Sequence, residues 1–151
     1  ISGGEPVCDI HVRYSRLHGI NVCGGLISRS IDELPLVAVL GAFANGTTTV
    51  SEADELRIKE CDRISAMTEN LSSLGIDITE KADGWIINGI RNNDGYDMTG
   101  IKDAAISSHD DHRIAMCMEV VRDALGLPRI KDKCVEASYP AFYDDIDTLI
   151  K

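Results

Sequence analysis

The clearest pattern in the chain is an apolar stripe at Ile64, Met67, Leu71 and Leu74, spaced 3, 4 and 3. That spacing returns to one side of an α-helix and predicts an amphipathic helix that Gly75 stops. Upstream, Leu34 to Ala44 is almost wholly apolar, which predicts a buried helix. Pro35 lacks an N–H and fits only a first helical turn, so this helix is expected to start near Asp32 and end at Gly46 as a C′ residue. A third helix is expected from about Ser108, where Ser108 and Asp111 have the S-x-x-D spacing of a capping box. Its buried side would be Ile114, Cys117, Val121, Ala124 and Leu125, with Gly126 and Pro128 as the stop. Pro140 is expected to open a terminal helix as its first residue.

Strand signals lie between these helices. Residues 5–23 read as two short extended runs around Ser15-Arg16-Leu17-His18-Gly19, and Thr47 to Val50 is β-prone. Ile76-Asp77-Ile78 alternates, and Ala82-Asp83-Gly84 turns into Trp85-Ile86-Ile87, a hairpin. Residues 89–100 are rich in Gly, Asn and Asp and read as loop, and a short strand is expected over Ile130 to Val135. Gly24 and Gly25 match no phosphate-binding or dinucleotide fingerprint and read as turn residues. The predicted order is strand–helix–strand–helix–strand–strand over about 19–89, then strand–helix–strand–helix over about 97–150. Two partial copies of one unit imply an internal repeat. The second copy lacks its hairpin, and a sheet short of strands exposes an edge. Together with the opening Ile1-Ser2-Gly3-Gly4, which has no initiator Met, this reads as a fragment.

A length of 151 residues suits one domain, and a net charge of −10 argues against a basic nucleic-acid footprint. Acidity does not exclude anionic substrates, because a few Arg and Lys side chains set the field inside a cleft. No apolar run is long enough to cross a bilayer and no signal peptide is visible. The five cysteines are scattered without C-x-x-C spacing and read as reduced thiols of a cytoplasmic protein.

Three constellations could carry chemistry. Lys59-Glu60-Cys61-Asp62-Arg63 sits at a predicted helix start, where backbone N–H groups favour anions. If the helix has begun by then, Lys59 and Arg63 are i,i+4 neighbours that could hold a phosphate or carboxylate beside a proton donor; otherwise the segment is a solvated mixed-charge start. His109-Asp110-Asp111-His112-Arg113 sits at another start. It offers Arg113 for an anion and His112 for proton transfer, or a set of metal ligands, or only a cap. Successive helical positions point about 100° apart, so few of these side chains could reach one ion. Asp32 is either an N-cap or a carboxylate presented at a cleft.

Taken together, four motifs in register are similar to those of the EPSP synthase family. Ile31-Asp32-Glu33-Leu34-Pro35 followed by Gly41-Ala42-Phe43-Ala44-Asn45-Gly46-Thr47 resembles its IDE-x-P…AFA-x-GTT segment. Glu55 to Arg63 resembles ELR-[VI]-KE-x-DR, Asp111 to Met116 resembles DHR-[IM]-AM, and Ser138-Tyr139-Pro140-Ala141-Phe142 resembles SFP-x-F. The resemblance implies an α/β (α+β) fold: an enolpyruvyl transferase-like inside-out barrel of repeated βαβαββ units. Residues 1–151 would form the C-terminal portion of its second domain, about two units with the second incomplete. The N-terminal domain of the same chain is the implied partner.

The implied reaction transfers the enolpyruvyl group of phosphoenolpyruvate to the 5-hydroxyl of shikimate 3-phosphate, in aromatic amino acid biosynthesis, with no metal or organic cofactor. By position, Asp32 matches the carboxylate that holds the reacting hydroxyl and serves as its base. Lys59 matches a lysine near that hydroxyl. Glu60 matches the carboxyl that delivers and removes the methyl proton. Arg63 and Arg113 match the arginines that clamp phosphoenolpyruvate, and His112 a histidine beside them. Ala137 stands where some relatives carry a phosphoenolpyruvate-binding lysine, and Glu55 where some carry Asn. The alternatives are a transferase acting on UDP-N-acetylglucosamine, which does not typically carry the DHR-x-AM motif, and a metal-dependent phosphohydrolase built on the His–Asp cluster.

Overall fold

The computed structural model describes residues 3–4 and 6–149. Its centre is one open four-stranded sheet, ordered β1 (Asn21–Val22), β2 (Thr47–Val50), β4 (Gly84–Asn88) and β3 (Asp77–Lys81). β1 runs parallel to β2, whereas β4 is antiparallel to both its neighbours. Thr48 pairs with Ile87 and Val50 with Trp85, so these four buried side chains share one side of the sheet. The alternate positions Thr47, Thr49 and Ile86 are exposed or half-buried. That alternation is the pleat's period of two.

Helices cover the buried side. α2 (Leu34–Ala42) and α3 (Arg63–Ser73) pack on the strands, and α4 (His112–Ala124) packs against both helices. Ile64, Met67, Leu71 and Leu74 are all fully buried, as the stripe requires. Trp85 is fully buried too, and its indole N–H donates to the Ile64 carbonyl at 3.0 Å, which locks β4 to α3. A second, smaller cluster of Ala115, Val135, Phe142 and Ile146 joins α4 to a 3₁₀ turn (Lys133–Ala137) and to α5 (Phe142–Leu149). Gly75 ends α3 at φ 94°, and a β-carbon there would overlap the Gly100 carbonyl. Gly75→Ala is therefore expected to cost at least about 1–3 kcal/mol, read as a lowered urea midpoint. A midpoint equal to the parent's would mean that the turn has room to relax.

Several local expectations need correction. Among the described residues of 5–23 only Asn21–Val22 forms a strand, with an isolated bridge from His18 to Asn45. Residues 6–16 have no sheet partner among the described residues, and β-propensity cannot act without one. Gly24 turns at φ 62°, but Gly25 starts a five-residue helix, α1 (Gly25–Arg29), too short to show a period. α2 starts at Leu34 with Pro35 as its second residue and ends at Ala42, so Gly46 (φ 89°) bends the chain into β2 instead of closing the helix. Ser108 does not cap α4; Asp111 does, with its own side chain. Ala124 is exposed, and Met118 fills the interior instead. The strand expected over 130–135 is irregular chain leading into the 3₁₀ turn, and Pro140 lies before α5 rather than within it. The second copy of the repeat is thus helical only: among the described residues no strand follows β4.

Candidate active site

Three helix starts meet at one point of the fold. Asp32 lies just before α2, Glu60 and Arg63 lie at the start of α3, and Asp111 and Arg113 lie at the start of α4. The starts of α3 and α4 are held locally. Asp62 caps α3 by accepting from the Ser65 N–H at 3.1 Å, and Asp111 caps α4 by accepting from the N–H groups of Arg113 (2.8 Å) and Ile114 (3.4 Å). α3 begins only at Arg63, so Lys59 precedes the helix and the two cations are not i,i+4 neighbours.

Arg63 is the hub. Only 1% of it is exposed, and each of its nitrogens donates to a different carboxylate. Nε reaches Asp111 Oδ2 at 2.7 Å, Nη1 reaches Asp32 Oδ1 at 3.1 Å, and Nη2 reaches Glu60 Oε2 at 2.6 Å. Asp32 is shared: its second oxygen accepts from Arg113 Nη2 at 3.2 Å, and its carbonyl accepts from Arg113 Nη1 at 3.2 Å. Asp32 makes no capping bond to α2, so its carboxylate serves the two arginines.

Burial governs the charges here. It pushes the Asp111 carboxyl up, but the Arg63 guanidinium and two backbone N–H donors outweigh it and hold the group below its ordinary value. Burial likewise opposes the charge on Arg63, and Asp111, Asp32 and Glu60 overcome it. The Cys61 thiol, whose Sγ lies 3.7 Å from Asp111 Oδ2, is pushed up to about 12 by burial and by that carboxylate, which keeps it in the thiol form and slows its alkylation while the loop stays closed.

Asp32, Glu60, Arg63 and Arg113 are therefore brought together, with Asp111 beneath them. Lys59 and His112 stand apart. The Lys59 ammonium pairs with Glu55, and His112, half-buried, makes no hydrogen bond or ion pair to the cluster among the described residues. His109 reaches Glu69 at 3.3 Å. Asp111 is bound to Arg63 and to its own helix, so the 109–112 segment does not converge as a ligand set, and no metal-holding group of three His, Cys, Asp or Glu occurs among the described residues. A cavity of about 220 Å³ opens beside Arg113. It touches the cluster through Asp32 and Arg113, Glu33 adds a further carboxylate, and Leu36, Met116, Cys117, Val120 and Phe142 supply the apolar wall. Sequence reasoning weighed Asp111 as a cap or a metal ligand and missed it as the partner of Arg63; its place two residues before Arg113 in the DHR motif was the available signal.

The arrangement suits binding of a dianion by displacement. Carboxylates satisfy both arginines, and an incoming carboxylate or phosphate would take over their donors. Residues 3–146 match the family EPSP synthase (3-phosphoshikimate 1-carboxyvinyltransferase). The chain belongs to the EPSP synthase family. A 3-phosphoshikimate 1-carboxyvinyltransferase of Salinibacter ruber is 46% identical over 148 residues, 97% of this chain and 33% of that protein. One from Synechococcus elongatus is 42% identical over 152 residues, 99% of this chain and 32% of that protein. A solved EPSP synthase from Acinetobacter baumannii superposes with a TM-score of 0.82 at 33% identity, covering 98% of this chain and 33% of that one. The chain thus spans about a third of the length of the EPSP synthases it matches, and its mixed α/β architecture with one open sheet is consistent with their fold. No described helix is long and apolar enough to cross a membrane.

Proposed function

We propose that this chain is the C-terminal portion of a cytoplasmic EPSP synthase, about two βαβαββ units of an inside-out barrel with the second incomplete, and that it supplies half of a cleft completed by an N-terminal domain. The substrates on this reading are phosphoenolpyruvate and shikimate 3-phosphate. The observation that carries it is the Asp32 carboxylate shared between Arg63 and Arg113 at three converging helix starts.

The phosphoenolpyruvate carboxylate and phosphate take over the arginine donors now held by Asp32 and Glu60. Asp32, freed, accepts the proton of the shikimate 3-phosphate 5-hydroxyl, with Lys59 near that oxygen. The hydroxyl oxygen bonds to the central carbon of phosphoenolpyruvate while Glu60 delivers a proton to its methylene carbon, giving a tetrahedral ketal phosphate. The carbon–oxygen bond to phosphate then breaks, and Glu60 takes a methyl proton back, leaving the enolpyruvyl ether. On this reading His112, the chain neighbour of Arg113, would serve beside the arginine clamp although it makes no bond to the cluster itself among the described residues. Positioned carboxylates and guanidinium charges serve both steps, and the chemistry calls for no metal or organic cofactor.

Half-exposed Asp32 and Glu60 stand open to water on this half of the cleft, so the chain by itself is expected to release no phosphate from the two substrates. The longer polypeptide that contains it is expected to turn over. Phosphate release measured on both decides the matter. Robust turnover by the chain alone would show that the site needs no second half. Turnover by the longer polypeptide with UDP-N-acetylglucosamine, and none with shikimate 3-phosphate, would overturn the substrate assignment.

A further inference from the structure

We propose that Arg57 is a positioning residue that clasps the two ends of the loop carrying Lys59 and Glu60. The proposal rests on the functional reading above. Arg57 is the penultimate residue of a 3₁₀ turn (Asp54–Ile58), the loop Lys59–Cys61 follows, and α3 begins at Arg63. The loop is weakly held by its own backbone: among the described residues, the N–H groups of Glu60 and Cys61 donate to nothing.

Arg57 supplies the missing tether. Its Nη1 reaches forward across the loop to Asp62 Oδ2 at 2.7 Å and to Ser65 Oγ at 3.3 Å. Its Nη2 donates to Glu80 Oε1 at 2.9 Å and to the Lys81 carbonyl at 2.6 Å, and its Nε donates to the Ala82 carbonyl at 2.7 Å. One guanidinium thus fastens the far end of the loop to the end of β3 and to the β3–β4 turn. Asp62 completes the device, because one of its oxygens takes Arg57 while the other caps α3 through the Ser65 N–H. Among the described residues Arg57 makes no hydrogen bond or ion pair to Asp32, Glu60, Arg63 or Arg113, so its effect on them passes through the loop. Only a planar fork of five N–H donors makes all these bonds; a lysine, a point charge with one nitrogen, cannot. The clasp sets where the Glu60 carboxylate lies relative to the Arg63 hub, and small displacements of a proton-carrying group are costly to rate.

Arg57→Lys and Asp62→Asn in the longer polypeptide test this. Asn keeps an oxygen for the Ser65 N–H and loses the ion pair to Arg57. Each is expected to lower kcat roughly ten- to hundredfold with little change in either KM, and the double variant to do no worse than one alone, since both open the same clasp. A merely structural residue would lower thermal stability and leave kcat per folded molecule unchanged, which would overturn the proposal. A second readout does not depend on activity. Cys61 sits in the loop and Cys117 in the α4 core, so their alkylation, followed peptide by peptide, separates loop opening from unfolding. The clasp predicts several-fold faster alkylation of Cys61 with Cys117 unchanged in at least one of the two variants. Unchanged Cys61 reactivity in both, with Cys117 still protected, refutes it even if the parent polypeptide fails to turn over, a failure that would instead count against the functional reading.

Discussion

Replacing Asp111 by alanine is expected to lower the stability of the folded chain by about 3–5 kcal/mol, the range for removing one partner of a buried ion pair. Two losses combine. The first is the cap of α4, since Asp111 accepts from two backbone N–H groups there; a cap is worth about 1 kcal/mol. The second is larger: the Arg63 guanidinium, buried with it, loses the acceptor of its Nε and cannot reach water instead. Asp111→Asn separates the two, because the amide oxygen can still cap while the charge is gone, and its cost should fall between parent and alanine. Urea unfolding followed by circular dichroism measures all three. A loss under about 1 kcal/mol for Asp111→Ala, an ordinary value for substitutions at large, would show that Arg63 finds another partner.

The same pair fixes a sign for pH. The Asp111 carboxyl in the fold lies below its unfolded value of about 3.9, so the folded state holds it ionised where the unfolded state has begun to bind a proton. Its contribution is complete above that unfolded value and is lost as the pH falls through the folded one. In Asp111→Asn this part of the acid sensitivity is expected to vanish, while the part due to Asp62, also held low against burial by the Ser65 N–H and Arg57, remains.

Glu60→Gln in the longer polypeptide is expected to lower kcat about 10²- to 10⁴-fold, the usual contribution of a positioned acid–base group. Glutamine has nearly the same shape, and its amide oxygen can still accept from Arg63 Nη2, so the resting geometry should survive. What disappears is the ability to give a proton to carbon and take it back. The KM for phosphoenolpyruvate should not rise, because a neutral amide competes less well than a carboxylate for the arginine donors. Steady-state rates at saturating shikimate 3-phosphate check both parts. If kcat stays within a few-fold of the parent, the proton travels by another group, and Lys59 and His112 become the ones to substitute.

Some of this was legible in the chain because the signal is local. The 3–4–3 stripe of α3, the apolar run of α2, the Asp83-Gly84 turn of the hairpin and the stops at Gly75 and Gly126 all depend on residues within a few positions of one another. Where local rules allow two answers, packing selects between them. Ser108 and Asp111 both make good caps, and only packing placed the helix boundary so that Asp111 caps directly. The strand expected at 130–135 has acceptable residues but no partner edge among those described.

The amino-acid sequence alone determined which residue types stand at each helix start, two arginines and three carboxylates among them, and how those helices are phased, since backbone sterics and side-chain periodicity act over one or two turns. Tertiary structure alone decided that Asp32 is no cap but a bridge to Arg63 and Arg113, 31 and 81 residues away. Burying one arginine obliges carboxylates from distant segments to gather around it, and no rule of local spacing carries that requirement.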